Sequence, residues 1–148
     1  MPSPTIHASA VLVGARAVLI RGPSGSGKSR LALELIQAGH DGALCCGALR
    51  FARLVGDDRV HVAAAHGRLL VQPATALAGM IELRGVGILK LPYEPSAVVG
   101  LVVDLAAETE RLPDARQRVT ELEGVALARL AVAAGEPALP TVLALLTS

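Results

Sequence analysis

The sequence predicts an α/β chain, a mixed β-sheet with few helices arranged around a phosphate-binding loop. Three observations predict it. Short apolar runs rich in Val, Leu and Ile recur along the chain between Gly, Pro and Asp turn signals, as strands do. Helical spacing is clear only after Gly27, and a complete glycine-rich loop sits where strand pattern gives way to helix pattern. The 148 residues are 52% hydrophobic and 18% charged and show no internal repeat or low-complexity linker, which predicts one domain over residues 1–148.

The elements follow in order. Ala10 to Val13 and Ala17 to Arg21 are apolar runs flanking Gly14-Ala15, a pair suited to a tight hairpin turn. Leu31, Ala32, Leu35, Ile36 and Ala38 recur at helical spacing, and Gly39 is placed to end that helix. Leu54-Val55, Val60 to Ala63 and Leu69 to Gln72 read as short strands, with His66-Gly67 as a turn between the last two. Pro73 to Gly79 reads as a helical turn. Ile81 to Leu83 and Gly87 to Leu91 flank Arg84-Gly85, and Ala97 to Leu105 is a β-branched run typical of a buried strand. Glu108 to Arg111 is polar, Val125 to Ala133 is a final strand, and Pro140 opens a short C-terminal helix.

Composition excludes several functions. No apolar stretch is long enough to span a bilayer, because Val125 to Leu146 is broken by Arg129, Glu136, Pro137 and Pro140. Met1-Pro2-Ser3-Pro4 lacks the basic and apolar regions of a signal peptide, so a cytoplasmic location is expected. The formal net charge of +1 without a basic run argues against nucleic acid or a membrane surface as partner. Phe51 and Tyr93 are the only aromatics, too few to stack unpaired bases. The adjacent Cys45 and Cys46 suit neither an ordinary disulfide nor a zinc site and read as small buried hydrophobes. His40, His61 and His66 read as turn residues at the surface, and Arg16, Arg21 and Arg30 as solvated. Lys90, Tyr93 and Glu94 read as a loop.

Gly22-Pro23-Ser24-Gly25-Ser26-Gly27-Lys28-Ser29 satisfies the phosphate-loop pattern in full. Glycines let successive backbone N–H groups curl around a phosphate at approach distances that a β-carbon would block. The following helix adds free N–H groups and the positive end of its dipole. Lys28, one of only two lysines, falls where the pattern demands one and would reach the β- and γ-phosphates, while the Ser29 hydroxyl would coordinate Mg2+. A triphosphate or pyrophosphate ligand follows.

Phosphoryl transfer also needs a carboxylate at the metal and, for a hydroxyl acceptor, a base. Asp57-Asp58 ends one apolar run and Asp104 ends another. Glu82 lies two residues before Arg84, on the same face of an extended strand. In extended chain Asp57 and Asp58 point to opposite faces, so that one can enter the site while the other caps a turn. Spacing does not choose among these acids.

At this point the residues resemble a known family. His7, then Gly22 to Ser29, then Gly56-Asp57-Asp58-Arg59-Val60, then Ile81-Glu82-Leu83-Arg84-Gly85-Val86-Gly87-Ile88 are similar to the catalytic domain of the bacterial HPr kinase/phosphorylases, a fold of the PEP-carboxykinase-like kind. The resemblance runs from about His7 to Leu91 and looks like a short, catalytic-domain-only form. It implies an enzyme that phosphorylates a serine of an HPr-type phosphocarrier of the phosphotransferase system, using ATP or pyrophosphate, and that reverses the step by phosphorolysis with inorganic phosphate. It also implies roles. Asp57 would be the base, Asp58 would support it or the metal, Glu82 would share Mg2+ with Ser29, and His7 would approach the phosphates. Arg84 would lie near the developing charge, and Asp104 would be structural. Longer members form hexamers, which implies a homo-oligomer. Ala8 stands where members carry glycine, Gly42 to Arg50 looks like extra chain, and Gly135-Glu136-Pro137 occupies the place of a basic C-terminal segment.

Two other functions compete: a nucleotide-binding regulatory module without transfer, and a small-molecule kinase whose lid arginines would be Arg111, Arg116 and Arg118. The set His7, Lys28, Ser29, Asp57, Glu82 and Arg84 favours protein phosphorylation. The scarcity of aromatics predicts weak selection for the nucleotide base.

Overall fold

The apolar runs assemble into a curled mixed sheet with helices on one face. The structure, a computed structural model, describes residues 4–40 and 51–147. The expectations for Cys45, Cys46 and the extra chain at Gly42 to Arg50 lie outside them. The strands are β1 (Thr5–Ile6), β2 (Ala8–Val13), β3 (Arg16–Arg21), β4 (Ala52–Gly56), β5 (Val60–Ala65), β6 (Arg68–Pro73), β7 (Met80–Leu83), β8 (Gly87–Lys90), β9 (Ala97–Leu105), β10 (Val119–Leu122) and β11 (Val125–Val132). The helices are α1 (Lys28–His40) and α2 (Leu139–Thr147), with a short 3-10 turn at Thr75–Leu77.

Among the described residues the main sheet runs β1-β5-β6-β9-β3-β2-β4, with β11 also on β9 and β10 beyond it, while β7 and β8 form a separate hairpin. Most pairs are antiparallel, but β9 lies parallel to both β3 and β11. Its β-branched sequence fits that central, buried place.

Alternation along β3 sends side chains to two cores. Val18 and Ile20 join Leu31 and Leu35 of α1, Val103 of β9 and Val142 of α2. Ala17 and Leu19 face the other way, where Val60, Val62, Leu69 and Val71 meet Val99, Val102, Val125 and Leu127. The sheet therefore folds over one of its own faces. Pro140 sits in the first turn of α2, where its missing N–H costs nothing, and Val142 N–H reaches back to Ala138 O at 3.0 Å. No helix among the described residues is long and apolar enough to cross a membrane.

Several local expectations change. Gly39 does not end α1 with a left-handed cap; it lies in the last turn, where a Cβ would come within 2.5 Å of Ala52 Cβ. Glycine there lets the helix touch β4. β1 and β10 are additional strands, and His61 lies in β5 rather than in a turn. His66 does occupy the β5–β6 turn, at φ +53°.

Candidate active site

The glycine-rich segment Gly22–Gly27 joins β3 to α1. At its root a Cβ on Gly22 would meet Ser26 Oγ at 2.5 Å and Leu105 O at 3.1 Å, so glycine is required where the loop leaves the sheet. Ser26 N–H bonds Pro23 O at 3.0 Å, curling the loop. Lys28 is buried and turns back over it, donating to Gly22 O at 2.9 Å and Pro23 O at 3.1 Å. An ammonium has three N–H donors, so one remains for a ligand. The buried Ser26 Oγ has no hydrogen-bond partner among the described residues, a polar atom in need of one.

The root of the loop is clamped by charge. Arg21 donates to both oxygens of Asp104, from Nε at 2.7 Å and Nη2 at 2.8 Å, and Arg129 Nε approaches Oδ2 at 2.5 Å. Burial alone would raise the Asp104 carboxyl. The hydrogen bonds and charges of Arg21 and then Arg129 outweigh it and hold the group below its ordinary value. The Asp104 carboxylate is thus engaged by two guanidinium groups where the loop leaves the sheet. Arg21 is not a solvated flank of the hairpin, because its guanidinium is committed to that carboxylate.

β4 delivers the acid pair opposite the loop. Gly56 permits it, since a Cβ there would fall 2.6 Å from Val60 Cγ1 and 3.3 Å from Pro73 Cα. Arg59 N–H then returns to Asp57 O at 2.8 Å, a three-residue turn with Asp58 at φ +68°. This turn sends the two carboxylates apart. Asp57 is buried and Asp58 exposed, so the opposite orientation expected of extended neighbours is reached through a tight turn instead.

Four groups converge on these acids. Ser9 Oγ donates to Asp57 Oδ1 at 2.6 Å, Ser29 Oγ lies 2.7 Å from Oδ1 and 2.9 Å from Oδ2, and Glu82 N–H points at Oδ2 from 3.3 Å. His7 Nε2 lies 2.7 Å from Asp58 Oδ1 in an exposed pair. The structure thus brings His7, Ser29, Asp57, Asp58 and the backbone of Glu82 together beside Lys28. The Glu82 carboxylate is exposed and makes no hydrogen bond among the described residues. Arg84 does not share a strand face with it, because β7 ends at Leu83 and Arg84 lies in the hairpin turn, exposed and unpaired among the described residues. Glu82 and Arg84 form no ion pair with each other.

Ser9 is the residue that sequence reasoning missed. Its signal is a hydroxyl inside the apolar run Ala8-Ser9-Ala10-Val11, fully buried in the structure. Elsewhere, a cavity of about 800 Å³ lies between β3, β9, β11 and residues 108–118, lined by Arg16, Leu101, Leu112, Arg118 and Leu130. Neither Asp57 nor any residue of the glycine loop lines it.

The site residues lie within a span shared with known proteins. The model of the HPr Serine kinase C-terminal domain matches residues 1–132. The chain is 36% identical over 111 residues to the HPr kinase/phosphorylase of Clostridium tetani, covering 70% of this chain and 32% of that protein. It is 36% identical over 141 residues to the HPr kinase/phosphorylase of Streptococcus thermophilus, covering 86% and 41%. It therefore spans about a third to two-fifths of these curated relatives' length. The solved structure of the Hpr(Ser) kinase/phosphatase from Coxiella burnetii superposes with a TM-score of 0.73 at 22% identity, over 97% of this chain and 93% of that one, and shares the fold. By the family match and by these identities, the chain belongs to the HPr serine kinase C-terminal domain family.

Proposed function

We propose that this chain is a catalytic domain of the phosphate-loop, PEP-carboxykinase-like kind that transfers a phosphoryl group from ATP or pyrophosphate to a serine of an HPr-type phosphocarrier protein in the cytoplasm. The observation that carries the reading is the meeting of Ser29, the hydroxyl that follows the loop lysine, with the buried Asp57. On this reading, groups that would hold phosphate and a group that would move a proton lie at one place. The curated relatives, named HPr kinase/phosphorylase, support the substrate class.

Lys28 and loop N–H groups such as those of Ser24, Gly25 and Gly27 would bind the donor's phosphates, with Gly25 and Gly27 at positive φ and open space where a Cβ would stand. The orphaned Ser26 Oγ fits that ligand as a further partner. Ser29 Oγ and the free Glu82 carboxylate, with Asp58 in support, fit Mg2+, a hard cation that takes oxygen ligands. When bound, Mg2+ supplies charge neutralisation at the transferring phosphoryl group. Asp57 would accept the proton of the serine hydroxyl as its oxygen attacks the terminal phosphorus and the bond to the leaving phosphate breaks. Arg84, unpaired among the described residues, would be drawn toward the developing negative charge, and His7 would orient Asp58.

The reverse step uses the same residues. Inorganic phosphate seated in the loop would attack phosphoserine, and protonated Asp57 would return its proton to the departing serine oxygen as pyrophosphate forms. The same reading includes a homo-oligomer.

The test mixes the purified protein, Mg2+, ATP or pyrophosphate, and the HPr-like proteins of the same organism, and seeks a phosphoserine by mass. Transfer to a serine is the expected result. Nucleotide binding without transfer would overturn the kinase reading in favour of a regulatory module.

A further inference from the structure

Ser9 is fully buried in β2, opposite Ile20 of β3, among residues that are otherwise apolar. Packing does not explain a hydroxyl there, because Ala8, Ala10 and Val11 fill the same strand without one. Its hydrogen bonds do. Ser9 Oγ donates to Asp57 Oδ1 at 2.6 Å and accepts the Asp58 N–H at 3.3 Å. One hydroxyl thereby ties the buried carboxylate to the backbone of the turn that separates Asp57 from Asp58.

The donors to Asp57 are not equivalent. Ser29 has a single hydroxyl hydrogen, shared between Oδ1 and Oδ2, and the proposed function directs its oxygen to Mg2+. The Glu82 N–H is long at 3.3 Å. With Ser29 engaged by metal, the short bond from Ser9 is the side-chain bond that still holds the carboxylate. It occupies Oδ1 and leaves Oδ2, which otherwise meets only the long Glu82 N–H, for the acceptor's proton.

We propose that Ser9 is a positioning residue for Asp57, one that fixes the carboxylate so that Oδ2 receives the proton of the substrate serine. The inference rests on the reading of Asp57 as the base. It assigns Ser9 no contact with either substrate. Loss of the hydroxyl lets the carboxylate rotate and leaves the Asp58 N–H without its acceptor, while the glycine loop and Lys28 stay as they are. The effect therefore falls on turnover and spares binding of the phosphate donor.

The test compares Ser9→Ala, Ser9→Cys and Ser9→Thr in HPr phosphorylation by the whole chain, with melting curves to confirm folding. Ser9→Ala and Ser9→Cys are expected to lower kcat about ten- to a hundredfold, with KM and Kd for the donor changed less than about threefold. Ser9→Thr, which keeps the hydroxyl, is expected to restore most of the rate. In an Asp57→Asn background Ser9→Ala is expected to lower the residual rate no further, because the two residues act as a unit. A folded Ser9→Ala or Ser9→Cys protein with wild-type kcat overturns the proposal, as does an equal loss in both backgrounds. If Asp57→Asn alone transfers at the wild-type rate, the reading of Asp57 fails and this inference falls with it. A normal Ser9→Ala beside an inactive Asp57→Asn removes only the role of Ser9.

Discussion

Ser29 Oγ bridges the two oxygens of Asp57, at 2.7 and 2.9 Å, and so links the first turn of α1 to the end of β4. One hydrogen cannot serve both oxygens fully, and the hydroxyl can turn to a cation by giving up this contact. Ser29→Ala is therefore expected to raise the Mg2+ concentration needed for half-maximal transfer by about tenfold or more. A Mg2+ titration of HPr phosphorylation measures it, and an unchanged midpoint would remove Ser29 from the metal.

Lys28 is the loop's own cation, and in the protein alone its ammonium rests on the carbonyls of Gly22 and Pro23. Replacement by alanine removes the charge-assisted bonds that a bound phosphate would receive. Lys28→Ala is expected to weaken ATP or pyrophosphate binding on the order of a hundredfold and to abolish transfer. Calorimetric titration and mass analysis of the product read the two effects separately.

The turn at Asp58 divides one acid pair into two environments, which makes their variants distinguishable. Asp57→Asn is expected to cut transfer by about 10²–10⁴-fold while sparing donor affinity. Asp58→Asn leaves the buried carboxylate in place and is expected to cost less. Single-turnover rates with saturating donor compare them, and a normal rate for Asp57→Asn would shift the base role to Asp58.

Asp104 predicts how stability responds to acid. Its carboxyl is held below the ordinary value in the folded chain, so the unfolded chain takes up the proton first as pH falls. The stabilisation is complete above the unfolded value of about 3.9 and is lost as pH drops below it, through the depressed folded value. Asp104→Asn leaves Arg21 and Arg129 facing each other without their anion. It is expected to lower neutral-pH stability by about 2 kcal/mol and to flatten the acid limb of a melting-temperature profile. A variant that melts like the parent at pH 7 would contradict this.

What could be read from the chain was mostly local. The hairpin of β2 and β3, the loop and α1 depend on neighbours within a few residues, and their spacing displays them. β10 escaped because Val119-Thr120-Glu121-Leu122 is short and half polar and owes its strand state to β11. Arg21 looked solvated because its partner Asp104 lies 83 residues away, and only the parallel pairing of β3 with β9 brings them together. In the site, Lys28 and Ser29 were legible in the loop motif, and Asp57 only through the family resemblance. Their convergence was not, and Ser9 had no motif to announce it.

The opposed acid pair has a practical consequence for chemical probing. A water-soluble carbodiimide reacts with carboxyls it can reach, and the Asp58 side chain is 62% exposed while Asp57 is 4% exposed. Labelling would mark Asp58 and pass over its neighbour, so that two acids joined by one peptide bond would appear on a reactivity map as a surface group and an interior one.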